Sequence, residues 1–216
     1  MPDHETRGVT VEDKSNQKFW DQFAKLYAPF MKKDKRVYEE VCGYIRPYLK
    51  KDRKVLELAC GSGQLSFRLS QHTKSWLATD FSEKMILEAR KRGEYENLTF
   101  ETADATSLPY EDHEFDCVVI ANALHIMPKP EEAMKEIYRV LKPDGMLFAP
   151  TFLWREGKQR NIIKRMMSAF GFRMYHEWNQ TQLEDFIEEY GFSVVEMKLV
   201  YGGLAPVGVM IAKRTV

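Results

Sequence analysis

The apolar positions change their period along the chain. Between Lys18 and Phe30, the residues Phe19, Trp20, Phe23, Leu26, Tyr27 and Phe30 recur at helix-like intervals, behind a polar arm from Met1 to Ser15. Val37, Val41, Ile45 and Leu49 then repeat every fourth residue and predict a second amphipathic helix, with Pro47 near its end, where a missing N–H does least harm. From Lys54 the pattern shortens. Lys54 to Ala59 reads as an apolar strand, followed at once by Cys60-Gly61-Ser62-Gly63 and a helix to about His72. Ser75 to Asp80, Leu98 to Ala103, Phe115 to Ala121 and Met146 to Phe152 read as further strands. Between them lie helices over Glu83 to Arg92, with Ser82 as N-cap, and over Glu131 to Leu141, stopped by Lys142-Pro143-Asp144-Gly145. Phe115 to Ala121 is nearly all apolar, as a strand covered on both faces would be. This alternation of strand and helix predicts a doubly wound parallel sheet.

The last third departs from it. Arg155 to Phe170 predicts an extra helix with Ile162, Ile163, Met166 and Met167 on one side. Thr181 to Tyr190 predicts another, with Thr181 as N-cap, Glu184 completing a capping box, and Gly191 as the terminating glycine. Ser193 to Tyr201 and Val207 to Ala212 predict two closing strands. The connection through Gly202-Gly203 is too short for a parallel crossover, so the pair should be antiparallel. One domain is expected over 1–216: an arm and cap helices over 1–50, a core over 54–152, an insert over 155–178, and a closing helix and strands over 180–216.

Composition narrows the function classes. A chain of 216 residues with 44% hydrophobic and 30% charged side chains suits one well-buried globular domain. Lys+Arg and Asp+Glu both number 32, so no global field draws the chain to nucleic acid or an anionic membrane. The basic stretch from Lys32 to Lys54 reads as a solvated helix face. No apolar run approaches the ~18 residues of a membrane span, and Met1 to Lys18 has no signal-peptide core, so a cytoplasmic location is the expectation. Three cysteines without a CxxC pair argue against a disulfide framework or a zinc site.

The candidate chemistry sits at strand ends. Glu57-Leu58-Ala59-Cys60-Gly61-Ser62-Gly63 joins a strand to a helix, and glycine there lets a backbone approach a ligand closely. A dinucleotide fingerprint wants a third small residue, commonly glycine, at position 66, where this chain has Ser66. Asp80 ends the next strand, 17 residues after Gly63, where a carboxylate can accept both hydrogen bonds of a ribose diol, or serve as a turn residue before Phe81-Ser82. Cys60 has no evident base beside it, so a backbone role is expected rather than a nucleophilic one.

Taken in order, these segments resemble the motifs of class I S-adenosylmethionine (SAM) dependent methyltransferases. Glu57 to Gly63 resembles the first motif, Asp80 to Met85 the second, Ala103-Asp104-Ala105 with Leu108-Pro109-Tyr110 the third, and Phe115-Asp116 through Ala121 to His125 the fourth. Arg139 to Gly145 resembles the stretch before the fifth strand. The resemblance covers most of Lys54 to Phe152 and is nearest to the ubiquinone and menaquinone C-methyltransferase group. It implies a Rossmann-like three-layer α/β sandwich. The sheet would have seven mostly parallel strands in the order 3-2-1-4-5-7-6 with an antiparallel last strand, an N-terminal helical cap, and an extra helix after the fifth strand.

It also implies roles. Glu57 and the backbone of Ala59, Cys60, Gly61 and Gly63 would hold the methionine end of SAM. Asp80 would take the ribose, Phe81 or Met85 the adenine face, Asp104 the adenine amine, and the Ala105 N–H a ring nitrogen. Ala121, Asn122 and neighbours would contact the amino-acid moiety, and Tyr27 would close over the cofactor or pack in the core. Ala59 stands where the family has a glycine, a mild departure. His125 is the candidate general base if the acceptor must lose a proton, and otherwise a structural or cofactor-shell histidine.

Trp20, Trp154, Tyr175 and His176 are candidates for the acceptor pocket. The acceptor is expected to be a small molecule with an O, N, S or C nucleophile, the protein a monomer or homodimer, and no nucleic acid or metal is expected. Tyr201-Gly202-Gly203-Leu204-Ala205 fits the quinone group, but Pro206 and Val207 replace its following histidine. A non-catalytic SAM-binding protein and an NAD-dependent Rossmann protein are the alternatives.

Overall fold

Successive strand residues face opposite sides of a sheet, so a strand buried on both sides must be apolar throughout. In the computed structural model, which describes residues 20, 21, 24, 35–154, 174–202 and 206–215, the central strands have that character. In β1 (Lys54–Leu58), Val55 enters one core while Leu56 and Leu58 enter the other. In β4 (Phe115–Ile120), Cys117 and Val119 oppose Val118 and Ile120 in the same way. With β2 (Ser75–Asp80), β3 (Leu98–Thr102), β5 (Leu141–Phe152), β6 (Phe192–Val200) and β7 (Val207–Arg214), they form a seven-stranded sheet in the order β3-β2-β1-β4-β5-β7-β6. β1 pairs in parallel with β2 and β4, β2 with β3, and β4 with β5. β7 runs antiparallel to both β5 and β6. The order reverses between β1 and β4, and ligands of open α/β sheets bind outside the carboxyl ends of strands at such a switch point.

Helices cover both faces. On one side α1 (Lys35–Ile45) contributes Tyr38, Val41, Cys42 and Ile45, together with Leu69 of α2 (Ser66–Leu69) and Ile86 and Ala89 of α3 (Glu83–Arg90). On the other, α4 (Pro130–Val140) and α5 (Gln180–Glu189) bury Ala133, Met134, Ile137, Val140, Leu183 and Ile187. Each fully buried Leu, Ile or Val side chain stabilises the fold by roughly 1.5–3 kcal/mol before entropy is counted. Trp20, Asp21 and Ala24 are helical, and Ala24 is buried. No helix among the described residues is long and apolar enough to cross a membrane.

Local chemistry shifts several expected boundaries. The final helix does not start from Thr181. Asn179 is its N-cap: its Oδ1 accepts from the Gln182 N–H (2.9 Å), and its own N–H donates to Gln182 Oε1 (3.0 Å). The chain offers two overlapping capping boxes, Asn179 with Gln182 and Thr181 with Glu184, and asparagine is the better cap. Ser82 does cap α3, accepting from the Met85 N–H (3.2 Å), and Gly191 follows α5 with φ 84°.

Lys142 to Gly145 is not a stop before a strand but part of β5. Leu141 pairs with Phe115 and Met146 with Cys117, so the residues between bulge outward. Asp144 has φ 62°, and a Cβ on Gly145 would lie 2.8 Å from the Lys142 carbonyl oxygen. Lys142 holds the bulge to Asp116 (2.8 Å). After the glycine-rich turn, α2 ends at Leu69 and a 3-10 turn completes the run to His72. The expected helix over Arg155 to Phe170 lies outside the described residues.

Candidate functional site

At the carboxyl end of β1 the chain turns sharply. Ala59 takes φ 52°, Gly61 φ 55° and Gly63 φ 77°. The turn is tied to β2: the Cys60 N–H donates to the Thr79 carbonyl (2.9 Å), and the Gly61 N–H to Asp80 Oδ2 (2.8 Å). A Cβ on Gly63 would meet the Phe67 ring at 2.8 Å, so that residue must be glycine for α2 to start where it does. From the other side Arg92 donates to the Ser62 carbonyl while its guanidinium sits 4.7 Å over the Phe67 ring.

Asp80 carries one backbone hydrogen bond on each oxygen, since the Ser82 N–H donates to Oδ1 (2.9 Å). Burial pushes its pKa up to about 6, against the pull of those two N–H groups and with a further rise from Asp21. Asp21 accepts from the Ser82 hydroxyl (2.6 Å), which docks the N-terminal helical segment at the β2 end. Beyond β3, Asp104 Oδ1 accepts from the Thr106 N–H (2.9 Å) and hydroxyl (2.7 Å). The segment that follows is clamped by Arg139 of α4, which donates to the Leu108 (2.9 Å) and Tyr110 (2.7 Å) carbonyls and pairs with Glu136 and Asp112.

These ends surround a cleft holding about 1060 Å³ of empty space, its open mouth included. Trp20, Ala59, Gly61, Asp80, Phe81, Met85, Asp104, Ala105, Ala121 and Asn122 all line it, so ten of the expected residues meet in one place. Asn122 has φ 52°, and its buried Oδ1 has no partner.

Residues 56–149 match the methyltransferase domain family. The chain is 36% identical over 120 residues to a ubiquinone/menaquinone biosynthesis C-methyltransferase of Ruegeria, covering 49% of this chain and 48% of that one. It is 32% identical over 154 residues to a demethylmenaquinone methyltransferase of Staphylococcus saprophyticus, covering 62% and 66%. The chain thus spans about half the length of the first relative and somewhat under two thirds of the second. In fold it matches a Thermotoga maritima structure described as a SAM-dependent methyltransferase, possible histamine N-methyltransferase (TM-score 0.73, 20% identity, 92% and 99% covered). It also matches a putative methyltransferase of Bacillus halodurans (TM-score 0.69, 18% identity, 83% and 99% covered).

Over residues 56–149 the chain is thus similar to the methyltransferase domain of SAM-dependent enzymes.

The cofactor of this methyltransferase family fits the cleft. Small residues, Ala59, Gly61, Ala103, Ala105, Ala121 and Ala123, leave room for a ligand beside the Asp80 carboxylate. Other expected residues stand elsewhere. Glu57 does not line the cleft. It is 2% exposed beneath the loop, where its Oε2 accepts from the Ser66 hydroxyl and the Trp76 indole N–H (2.7 Å). Burial holds its pKa up to about 7. Cys60 is buried with its thiol raised well above the usual range by burial and by Glu57 and Asp80, as an inert packing group is.

His125 also stands outside the cleft lining. It lies in a 3-10 turn after β4, is 2% exposed, and burial drives its pKa down to about 3. Tyr175 and His176 bond through their backbone N–H groups to the His125 carbonyl, and Trp154 bonds to the Trp178 carbonyl; none of the three lines the cleft. Tyr27 lies outside the described residues. Sequence reasoning missed Arg92, Thr106 and the cleft residues Ile126, Met127, Lys129 and Glu132. Lys129-Pro130, a helix-opening proline after the fourth strand, was the available signal for the last two.

Proposed function

We propose that the chain transfers a methyl group from SAM to a small-molecule acceptor. The observation that carries this reading is Asp80 in the cleft lining at the carboxyl end of β2, with one backbone N–H on each carboxylate oxygen and a further lone pair on each. Bound SAM supplies a methyl group on a positively charged sulfur, already activated for displacement.

The chain's own part is to bind and orient. Asp80 accepts both ribose hydroxyls as a charge-assisted pair. Phe81 and Met85 flank the adenine. Asp104 spends Oδ1 on Thr106, so its other oxygen accepts the adenine amine while the Ala105 N–H meets a ring nitrogen. Ala59, Gly61 and Asn122 receive the amino-acid end. Glu57, Cys60 and Gly63 act from beneath by fixing the turn. Ser66, where a dinucleotide fold would want a small residue and commonly glycine, is committed to Glu57, which weighs against a nicotinamide cofactor.

Holding an acceptor near the methyl group in line with the sulfur can provide effective molarities of roughly 10⁵ M or more. His125 is not a base in this scheme, because a buried imidazole with so low a pKa accepts a proton poorly. The curated relatives' names concern quinone biosynthesis. Pro206 and Val207 stand where that group has a histidine, so a quinone is not assigned.

Calorimetric titration with SAM, S-adenosylhomocysteine and NADH tests the reading. Micromolar binding of the two adenosyl ligands and none of NADH is expected; NADH binding alone would overturn it.

A further inference from the structure

The polar groups at the end of β2 are organised around one serine. Ser82 donates its N–H to Asp80 Oδ1 (2.9 Å). Its hydroxyl oxygen accepts from the Met85 N–H (3.2 Å), and its hydroxyl hydrogen goes to Asp21 Oδ1 (2.6 Å). Capping α3 uses only a lone pair of that oxygen. The hydroxyl hydrogen is a separate matter: Ser82 is 1% exposed, so the hydrogen needs an acceptor within the protein. Asp21 provides it from 61 residues away in the chain, as a charge-assisted bond. The bond therefore fixes the hydroxyl rotor and ties the N-terminal helical segment to the start of α3. On one side of it Asp80, Phe81 and Met85 line the cleft, and on the other Trp20 does, one residue from Asp21.

The acceptor that holds Ser82 is also a negative charge close to Asp80. Burial and Asp21 both work against ionisation of Asp80. The Gly61 N–H, from the turn after β1, and the Ser82 N–H, from the start of α3, work for it. Glu57, beneath the turn, feels the Asp80 charge in its turn. A like charge nearby disfavours the charged form of a carboxylate. A ribose diol brings two donors and needs that charged form, whose oxygens only accept. Asp21 thus bears on the cofactor carboxylate in two ways, by hydrogen bond through Ser82 and by charge.

We propose that Asp21 is a positioning residue of the cofactor site: through Ser82 it orients the β2 end that carries Asp80, and by its charge it tunes how readily that carboxylate accepts an adenosyl ligand. The proposal rests on the methyl-transfer reading above, which makes the cleft an adenosyl site.

The test follows S-adenosylhomocysteine binding to the full chain by calorimetry, in steps from pH 8 down to pH 5, for the parent, Asp21→Asn and Asp21→Glu. Parent affinity should fall as pH drops through about 6, where Asp80 takes up a proton. Asp21→Asn keeps an oxygen for the Ser82 hydroxyl but removes the charge. Asp80 then holds its proton less tightly, so the fall should move to lower pH by about half a unit or more. At pH 8, where Asp80 is ionised in both proteins, the variant should bind within about threefold of the parent, the cost of a weaker neutral hydrogen bond, which also reports that it folds. Asp21→Glu keeps the charge and should return the fall close to the parent's pH. A profile for Asp21→Asn parallel to the parent's would overturn the proposal, because a contact that only builds the framework acts equally at every pH. Loss of binding by that variant at pH 8, while the parent binds, would overturn it too, since the charge would then not be what matters. Failure of the parent to bind S-adenosylhomocysteine at any pH is a distinct result: it removes the cofactor reading and this one with it.

Discussion

The β1–β2–β3 side and the β4–β5 side of the sheet's carboxyl edge, each a wall at or behind the cleft, handle their polar groups in opposite ways. On the β1–β2–β3 side they are paired within the protein: Asp80 with Gly61 and Ser82, Asp104 with Thr106, and Glu57 with Ser66 and Trp76. On the β4–β5 side, Asn122, His125, Trp154, Tyr175 and His176 each keep a buried atom without a partner. The first wall is pre-organised, so its geometry costs little to maintain when a ligand arrives. The second is incomplete by itself, and its unmet groups favour whatever supplies the missing partners.

Breaking the paired wall should give the largest effect. Asp80→Ala removes the acceptor for a ribose diol and also strips the Gly61 and Ser82 N–H groups of their partner. SAM affinity should fall by about 1–3 kcal/mol, the range for leaving buried donors unmet, measured by calorimetry. An unchanged affinity would remove the ribose assignment. Binding should also weaken as pH falls through about 6, where Asp80 takes up a proton and loses acceptor capacity.

A second effect separates the buried carboxylate from the cleft. Glu57 ionises near 4.5 in an unfolded chain but holds its proton to about 7 when folded. Between those values the folded state binds more protons, so stability falls as pH rises from 4.5 to 7 and is level beyond. Glu57→Gln keeps an oxygen for Ser66 and Trp76 and has no charge to bury. The variant should lose less stability than the parent between pH 5 and pH 8 in urea melts, and at pH 8 should be the more stable by about 1–2 kcal/mol. Parallel pH profiles would mean that Glu57 is not the group responsible. Asp80 shifts in the same direction in both proteins, so the difference isolates Glu57.

The paired wall is also the one the sequence made legible. Its elements are short, apolar and regularly spaced, and its candidate residues follow strand ends directly, so Asp80 could be picked out from its place at a strand end and Asp104 from the family resemblance. Glu57 was found but turned the wrong way, because position in a motif does not say on which side of a strand end a carboxylate finds its donors. The β4–β5 wall was poorly legible for a physical reason. Its members lie as much as 54 residues apart, from Asn122 to His176, and meet only through backbone bonds between the His125 turn and a segment without regular structure. The bulge at Lys142 to Gly145 was misread because a turn signature and a bulge use the same residues.

The smallest effect bears on the two strained residues that face the cleft, one on each wall. Ala59 and Asn122 both take φ 52°, a left-handed conformation that costs an ordinary L-residue about 1–2 kcal/mol but that asparagine tolerates. Ala59→Gly relieves that strain, and the greater freedom of glycine in the unfolded chain returns about 0.4–1 kcal/mol of the gain. The net is a stabilisation of about 0.5–1 kcal/mol, a rise in Tm of roughly 1–4 °C for a chain of this size, with SAM affinity within twofold of the parent. Asn122→Gly has little strain to relieve and removes the unpartnered oxygen, so it should leave Tm within about 1 °C of the parent while weakening ligand binding. If the two variants behaved alike in both measurements, the two walls would not differ as their hydrogen bonds say they do.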